Sequence, residues 1–362
     1  MRIGRLVPAA ALAAALVACS SGAPPVAVSS PAAPPSQASK SGLPGPLADR
    51  LQGFTGVALA VRGSHVLVAG GLGVPGSVPA EPSVRTTVFD IGSIAKSFTA
   101  AAVLLLDQRG RLRLNDTVGS FFPGATAATA GIRVAALLDH TSGLPLYASP
   151  DTADLTAREA VARILALPVR GAGRFRYSDA GYTLLAAIVQ RAAGEPFRRF
   201  VDDELLRPAG MRTTGWYGDT PDGATLAHGL VRGRDTGPAG SQASGSWSTL
   251  GAGAMVSTAE DLVRWARAVR GRAILSAPER RAMFAPRVPI GSAGGPSAAF
   301  GWVVGRTPDG ARLIAVGGGT DYGFTSDLRI APDSDTVTVA LSDTSTFPAE
   351  RAGVELAAAV AG

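Results

Sequence analysis

Ser93 and Lys96 stand three residues apart at the head of an apolar run, in the stretch Phe89-Asp90-Ile91-Gly92-Ser93-Ile94-Ala95-Lys96-Ser97-Phe98. Residues 94–108 contain no Gly or Pro and are rich in Ala and Leu, which predicts a buried helix. Positions i and i+3 share a helix face, so Lys96 can reach Ser93 in the first turn. A serine there lies near the positive end of the helix dipole and close to unpaired backbone N–H groups. Of the 34 Lys and Arg residues only Lys40 and Lys96 are lysines, and Lys40 lies in a low-complexity leader. Lys96 is thus the single lysine of the expected folded domain. Arginine stays protonated in a protein, whereas a desolvated lysine can become a general base. A serine nucleophile beside an amine base is a pairing suited to acyl transfer.

Three further stretches could complete such a site. Tyr177-Ser178-Asp179 precedes an apolar helical run over 182–193. A tyrosine phenol can relay a proton when a nearby cation favours its ionised form. Leu137-Leu138-Asp139-His140-Thr141-Ser142-Gly143-Leu144-Pro145 reads as a helix end followed by a turn. Val316-Gly317-Gly318-Gly319-Thr320 ends a β-type run, and its glycines let backbone N–H groups approach a substrate oxyanion. The three histidines, His65, His140 and His228, are dispersed without metal-ligand spacing, so neither metal nor cofactor is expected. His140 and His228 read as structural. Asp139 and Asp179 have no companion pattern that would make them a glycosidase pair.

The elements that must hold these residues lie at both ends of the chain. Residues 56–62 and 65–69 are short β-type runs around Arg62-Gly63-Ser64 and predict a hairpin. Residues 131–215 read as mainly helical, and Thr258 caps a helix over 262–269 with Asp261 at its third position. Strands are expected over 300–305, 311–316, 322–331 and 335–342, followed by an Ala-rich helix over 347–361. Strands at both termini with helices between predict an α+β fold. Its mixed, mainly antiparallel sheet would be built from both ends, flanked by helices, with an inserted helical lobe.

Residues 1–18 carry two arginines and then an apolar run too short to span a bilayer, the pattern of an export signal. Leu16-Val17-Ala18-Cys19 resembles a bacterial lipobox, which implies cleavage before Cys19, lipidation of its thiol and a membrane anchor. Cys19 is the sole cysteine, so an internal disulfide is excluded. Residues 19–46 are rich in Ala, Pro, Ser and Gly and read as a tether, leaving 47–362 as the folded domain. The formal charge of +6 comes from scattered arginines, with no basic helix interleaved with aromatics, so no nucleic-acid partner is expected.

Taken together the motifs resemble the serine β-lactamase and penicillin-binding-protein superfamily, in its branch of class C β-lactamase-related D,D-peptidases and esterases. Ser93-Ile94-Ala95-Lys96 is similar to the nucleophile motif, Tyr177-Ser178-Asp179 to Y-x-N, and His140-Thr141-Ser142-Gly143-Leu144 to a structural turn. Ala227-His228-Gly229, Gly251-Ala252-Gly253 and Ser257-Thr258 with Asp261 are similar to later blocks. Val316-Gly317-Gly318-Gly319 falls at the K-T-G or H-x-G strand motif. The resemblance implies Ser93, Lys96 and Tyr177 as catalytic residues. It implies an oxyanion hole from the N–H groups of Ser93 and Gly319, with Gly317, Gly318 and Asp179 near the substrate. The substrate would be a D-alanyl peptide from the wall, a small ester or a β-lactam, reached by an exported, membrane-anchored enzyme. Two positions depart from the pattern. Asp179 replaces Asn, in a chain whose one asparagine is Asn115, and favours a charged Lys96. Val316 replaces a cationic or imidazole residue that in relatives helps hold a substrate carboxylate or supports the tyrosine. Efficient β-lactamase activity is therefore not expected, and a catalytically weak envelope-binding protein on the same scaffold is the alternative.

Overall fold

The structure, a computed structural model, describes residues 43–73, 83–241, 246–292 and 294–361. The export signal, Cys19, Lys40 and nearly all of the tether lie outside the described residues. The strands run, in chain order, β1 (Gly56–Arg62), β2 (His65–Leu72), β3 (Phe89–Asp90), β4 (Gly215–Trp216), β5 (His228–Val231), β6 (Arg234–Pro238), β7 (Met255–Ser257), β8 (Val288–Pro289), β9 (Ser297–Ala298), β10 (Val303–Arg306), β11 (Arg312–Gly319), β12 (Thr325–Ala331) and β13 (Thr336–Ser342). Five helices matter below: α1 (Gly45–Arg50), α2 (Ala95–Gln108), α3 (Asp179–Ala193), α4 (Ala259–Arg270) and α5 (Ala349–Ala359).

Both ends of the chain meet in one eight-stranded sheet of order β2-β1-β13-β12-β11-β10-β9-β8. β1 pairs with its hairpin partner β2 on one side and with β13 on the other, Val57 facing Leu341 and Val61 facing Val337. The sheet was expected to be mixed. Every pairing within it is antiparallel, and parallel contacts are limited to isolated bridges such as Val88 with Leu226. The reason is connectivity. β10 to β13 follow one another through short turns, which join antiparallel neighbours, and no crossover helix intervenes.

Period-two alternation sends the two faces of β1 into different layers. Ala58 and Ala60 pack with Leu47, Leu51, Ala352 and Leu356 from α1 and α5. Val57, Leu59 and Val61 belong to the larger core that includes Phe98 of α2 and Trp265 of α4. Those two rings stack at 3.9 Å, and Trp265 Nε1 donates to Ser97 Oγ at 2.8 Å. α2 is buried from Ala95 through Leu106, as its composition predicts, and α3 packs beside it. Two strand starts differ from the expected ones. β12 begins at Thr325 because residues 320–324 form a turn, with Thr320 N–H bonded to the Phe324 carbonyl. β10 begins at Val303 because Gly301, at φ +75°, presses on the Lys96 carbonyl, where a Cβ would come within 2.8 Å.

Candidate active site

Ser93 sits in a single 3-10 turn, residues Gly92–Ile94, that leads into α2. Gly92 takes φ +48°, a left-handed conformation that glycine adopts without steric cost. Three contacts pin this turn. Ile91 N–H bonds to the Met255 carbonyl at 3.1 Å, Ser326 Oγ donates to the Ile91 carbonyl at 2.8 Å, and Gly318 of β11 lies directly over it. A Cβ on Gly318 would stand 2.4 Å from Ser93 N and 2.5 Å from the Ile91 carbonyl oxygen. The glycine of β11 is therefore what lets the strand and the nucleophile turn touch. It brings Gly319 N beside Gly92, where a Cβ on Gly92 would meet it at 2.9 Å. Ser93 and Gly319 consequently present their backbones to one cleft, the arrangement expected of an oxyanion hole.

Lys96 Nζ donates to Ser93 Oγ at 2.8 Å, and Tyr177 OH donates to the same oxygen at 2.8 Å. The expected catalytic trio is thus assembled around one atom. Lys96 is buried to 2 % exposure and has two further partners. It donates to the Ala252 carbonyl at 2.8 Å, and Asp179 Oδ1 lies 2.8 Å away as an ion pair. Lys96 is thus held by two hydrogen-bond acceptors, Ser93 Oγ and the Ala252 carbonyl, and by one ion pair with Asp179. The ammonium also lies 4.8 Å from the Tyr177 ring centroid, where its charge favours electron density on the phenol.

The supports explain the neighbouring motifs. Ser178 caps α3 through Gly181 N–H, so Asp179 is the first residue of the helix and not a loop residue before it. Residues 140–146 grip this start. Arg176 N–H bonds to the His140 carbonyl, Ser178 N–H donates to His140 Nδ1 at 3.1 Å, and Asp179 N–H bonds to the Leu146 carbonyl. His140 takes φ +60°, and its ring lies 4.4 Å from Tyr177 and 5.0 Å from Tyr182. Burial, and then the Lys96 charge, hold its imidazole well below the usual range, so it is a neutral acceptor. The Gly251-Ala252-Gly253 block is tied to α2 by Thr99 Oγ1, which donates to the Gly251 carbonyl at 2.7 Å, and this aims the Ala252 carbonyl at Lys96.

The cleft has two lobes that meet at Ser93. One is apolar, with Phe175, Ile290, Trp302 and Val316 on its walls. The other holds Asp151, Asp179, Tyr217, Thr249, Asp321 and Tyr322. Burial, then the charges of Asp179 and Asp321, push the Asp151 carboxyl up to about 6, with Lys96 opposing. Sequence reasoning did not reach Asp151, Thr249, Tyr217, Tyr322 or Trp302. They come from separate loops without local motif, and no spacing rule joins them. His228 is remote in role, bonded to Asp235 on the β5–β6 hairpin, and His65 is exposed on β2. Among the described residues no group of His, Cys, Asp and Glu could hold a metal ion.

A family model, Beta-lactamase, matches residues 47–362. The chain belongs to the beta-lactamase family. Its fold is β-lactamase/transpeptidase-like. Among curated relatives, "Penicillin-binding protein 4*" of Bacillus subtilis is 27% identical over 291 residues, covering 74% of this chain and 63% of that protein. The chain matches less than two thirds of that relative's length. A penicillin-binding protein homologue from Pyrococcus abyssi superposes with a TM-score of 0.72 at 24% identity, over 87% of this chain and 75% of the other. A D-amino acid amidase from Ochrobactrum anthropi SV3 gives a TM-score of 0.71 at 23% identity, over 88% and 100%. These two likenesses speak for the fold. Within this beta-lactamase-family frame the departures stand out physically: Val316 is a buried wall of the apolar lobe, and Asp179 is the ionic partner of Lys96.

Proposed function

We propose that the protein is an exported serine hydrolase that cleaves an amide or ester through an acyl-enzyme on Ser93. The observation that carries this reading is the meeting of Lys96 Nζ and Tyr177 OH on Ser93 Oγ, each at 2.8 Å. Ser93 Oγ attacks the carbonyl carbon while its proton passes to Tyr177, whose ionised form the Lys96 ammonium stabilises. The carbonyl oxygen takes the negative charge and is met by the N–H groups of Ser93 and Gly319. Collapse breaks the bond to the leaving group, which receives the proton. Water then attacks the ester carbon with the same groups acting in reverse, freeing the acid and restoring Ser93.

Asp179 and Val316 direct the substrate class. Among the described residues neither lobe carries an arginine, and the one lysine of the cleft, Lys96, is hydrogen-bonded to Ser93 Oγ and the Ala252 carbonyl and paired with Asp179. Among the described residues no free cation in the cleft would hold a substrate carboxylate, so small amides and esters suit it better than β-lactams. D-alanyl peptides are the poorer fit for the same reason. Lipidation of Cys19 and residence at the cell membrane are part of this proposal, supported by Leu16-Val17-Ala18-Cys19. Cys19→Ser should release the protein from the membrane fraction.

The deciding experiment is intact-mass analysis after exposure to a fluorophosphonate, a penicillin and a chromogenic ester. The expected result is one adduct with the fluorophosphonate and turnover of the ester, both lost in Ser93→Ala. Absence of any adduct would leave the non-catalytic alternative standing.

A further inference from the structure

The two lobes of the cleft differ in charge, and this difference points to the substrate. Three carboxylates, Asp151, Asp179 and Asp321, line the lobe that also contains Ser93 and Gly319, against the single ammonium of Lys96. Behind Tyr217, buried Asp90 adds a fourth acid whose carboxyl burial pushes up to about 7. The acids are held in place by the fold. Asp151 lies on a loop clamped by Ser248 Oγ, which donates to its carbonyl at 2.8 Å, and by Ser246 Oγ, which donates to Ala153. Asp321 lies in the turn after β11, closed by the bond from Thr320 N–H to the Phe324 carbonyl. Thr320 Oγ1 in the same lobe is shielded from solvent and has no hydrogen-bond partner among the described residues.

Like charges gathered in one cavity repel, and a fold that keeps them there without basic partners favours a cationic occupant. Arg side chains are abundant in this chain, yet none lines either lobe. Asp151 and Asp321 have no ion-pair partner within 4.0 Å among the described residues, in contrast to Asp179. Asp179 is neutralised by Lys96, so Asp151 and Asp321 carry the unbalanced charge.

We infer that the substrate carries an ammonium group close to the scissile carbonyl, as in an amide or ester of an amino acid with a free amine. Asp151 and Asp321 are the residues that select it. This rests on the acyl-transfer reading above. The apolar lobe of Phe175, Ile290 and Trp302 is left for an uncharged part of the same molecule.

The test is a charge series on one acyl group: alanine p-nitroanilide of either configuration, its N-acetyl form and its N-succinyl form. They present positive, neutral and negative groups to the same lobe. At neutral pH and low salt, kcat/KM should fall in that order, by roughly threefold to tenfold at each step. The spread should shrink as salt is added. Asp151→Asn and Asp321→Asn should each compress the series, mainly by raising KM for the free amine. Fluorophosphonate labelling of Ser93 runs in parallel and separates the two levels of the argument. Labelling with a flat or reversed series, or with no turnover of the free amine, overturns this inference alone. No labelling and no turnover overturns acyl transfer and this inference with it.

Discussion

Replacing Gly318 by Ala tests whether the contact between β11 and the nucleophile turn sets the rate. The added Cβ would stand 2.4 Å from Ser93 N, 2.5 Å from the Ile91 carbonyl oxygen and 2.9 Å from the Gly92 carbonyl carbon. All three neighbours are backbone, so no side chain can rotate out of the way. Ordinary contact begins at 3.4 Å, so strand and turn must part by about 1 Å. A misplacement of about 1 Å costs about 10²-fold in rate, and loss of one oxyanion donor about 10²- to 10³-fold. Overpacking costs about 1–3 kcal/mol of stability, which moves Tm by only a few degrees in a domain of this size. The expected variant is therefore folded and about 100- to 1000-fold slower in kcat. The assay is kcat on an ester that acylates Ser93, with Tm measured alongside. Gly124→Ala is the control, because nothing lies within 4 Å of a Cβ there. If Gly318→Ala keeps more than a third of the wild-type kcat, Gly319 does not donate to the oxyanion and the assignment of the hole is wrong.

Asp179→Asn removes the carboxylate 2.8 Å from Lys96 with little change of shape, so the charge that Lys96 presents to Tyr177 is no longer offset. On one ester near neutral pH, kcat/KM should rise; an unchanged or lower value would show that Asp179 does not restrain Lys96. His140 should remain neutral across the range in which histidine ordinarily titrates, because burial and Lys96 hold its pKa low. Its ring resonances should therefore stay constant from about pH 5 to pH 8, and a shift in that window would refute the neutral-acceptor role. Glu350 is buried beside the Asp327–Arg329 pair, its Oε1 unpartnered among the described residues, and burial raises its carboxyl from 4.5 to about 8, with the Asp327 charge adding and Arg329 opposing. The folded state then holds a proton that the unfolded state releases, so stability falls as pH rises from 4.5 towards about 8. Wild-type Tm should drop more steeply than that of Glu350→Gln across this window, and parallel curves would count against the assignment.

The residues that meet at Ser93 Oγ were legible because their signals are local. The three-residue spacing of Ser93 and Lys96 was enough to bring them together, although Ser93 lies in the 3-10 turn that leads into α2, and the Ala- and Leu-rich composition of 94–108 buries that helix. Tyr177 and the glycines of β11 were found through short motifs at element ends, where special backbone geometry leaves a mark in sequence. The β-type run 56–62 announced a strand, and only the fold shows that both of its faces are buried. What the sequence did not contain was the pairing of β1 with β13, because antiparallel register between segments 274 to 286 residues apart is decided by the completed core. Nor did it contain the charge of the cleft. Asp151, Asp179 and Asp321 come from a loop, a helix start and a turn, and only the fold brings them to one wall. His140 looked like a turn residue and is one. Its second role, accepting from Ser178 and lying tilted against the Tyr177 ring, arises because tertiary packing closes the 140–146 loop over the start of α3.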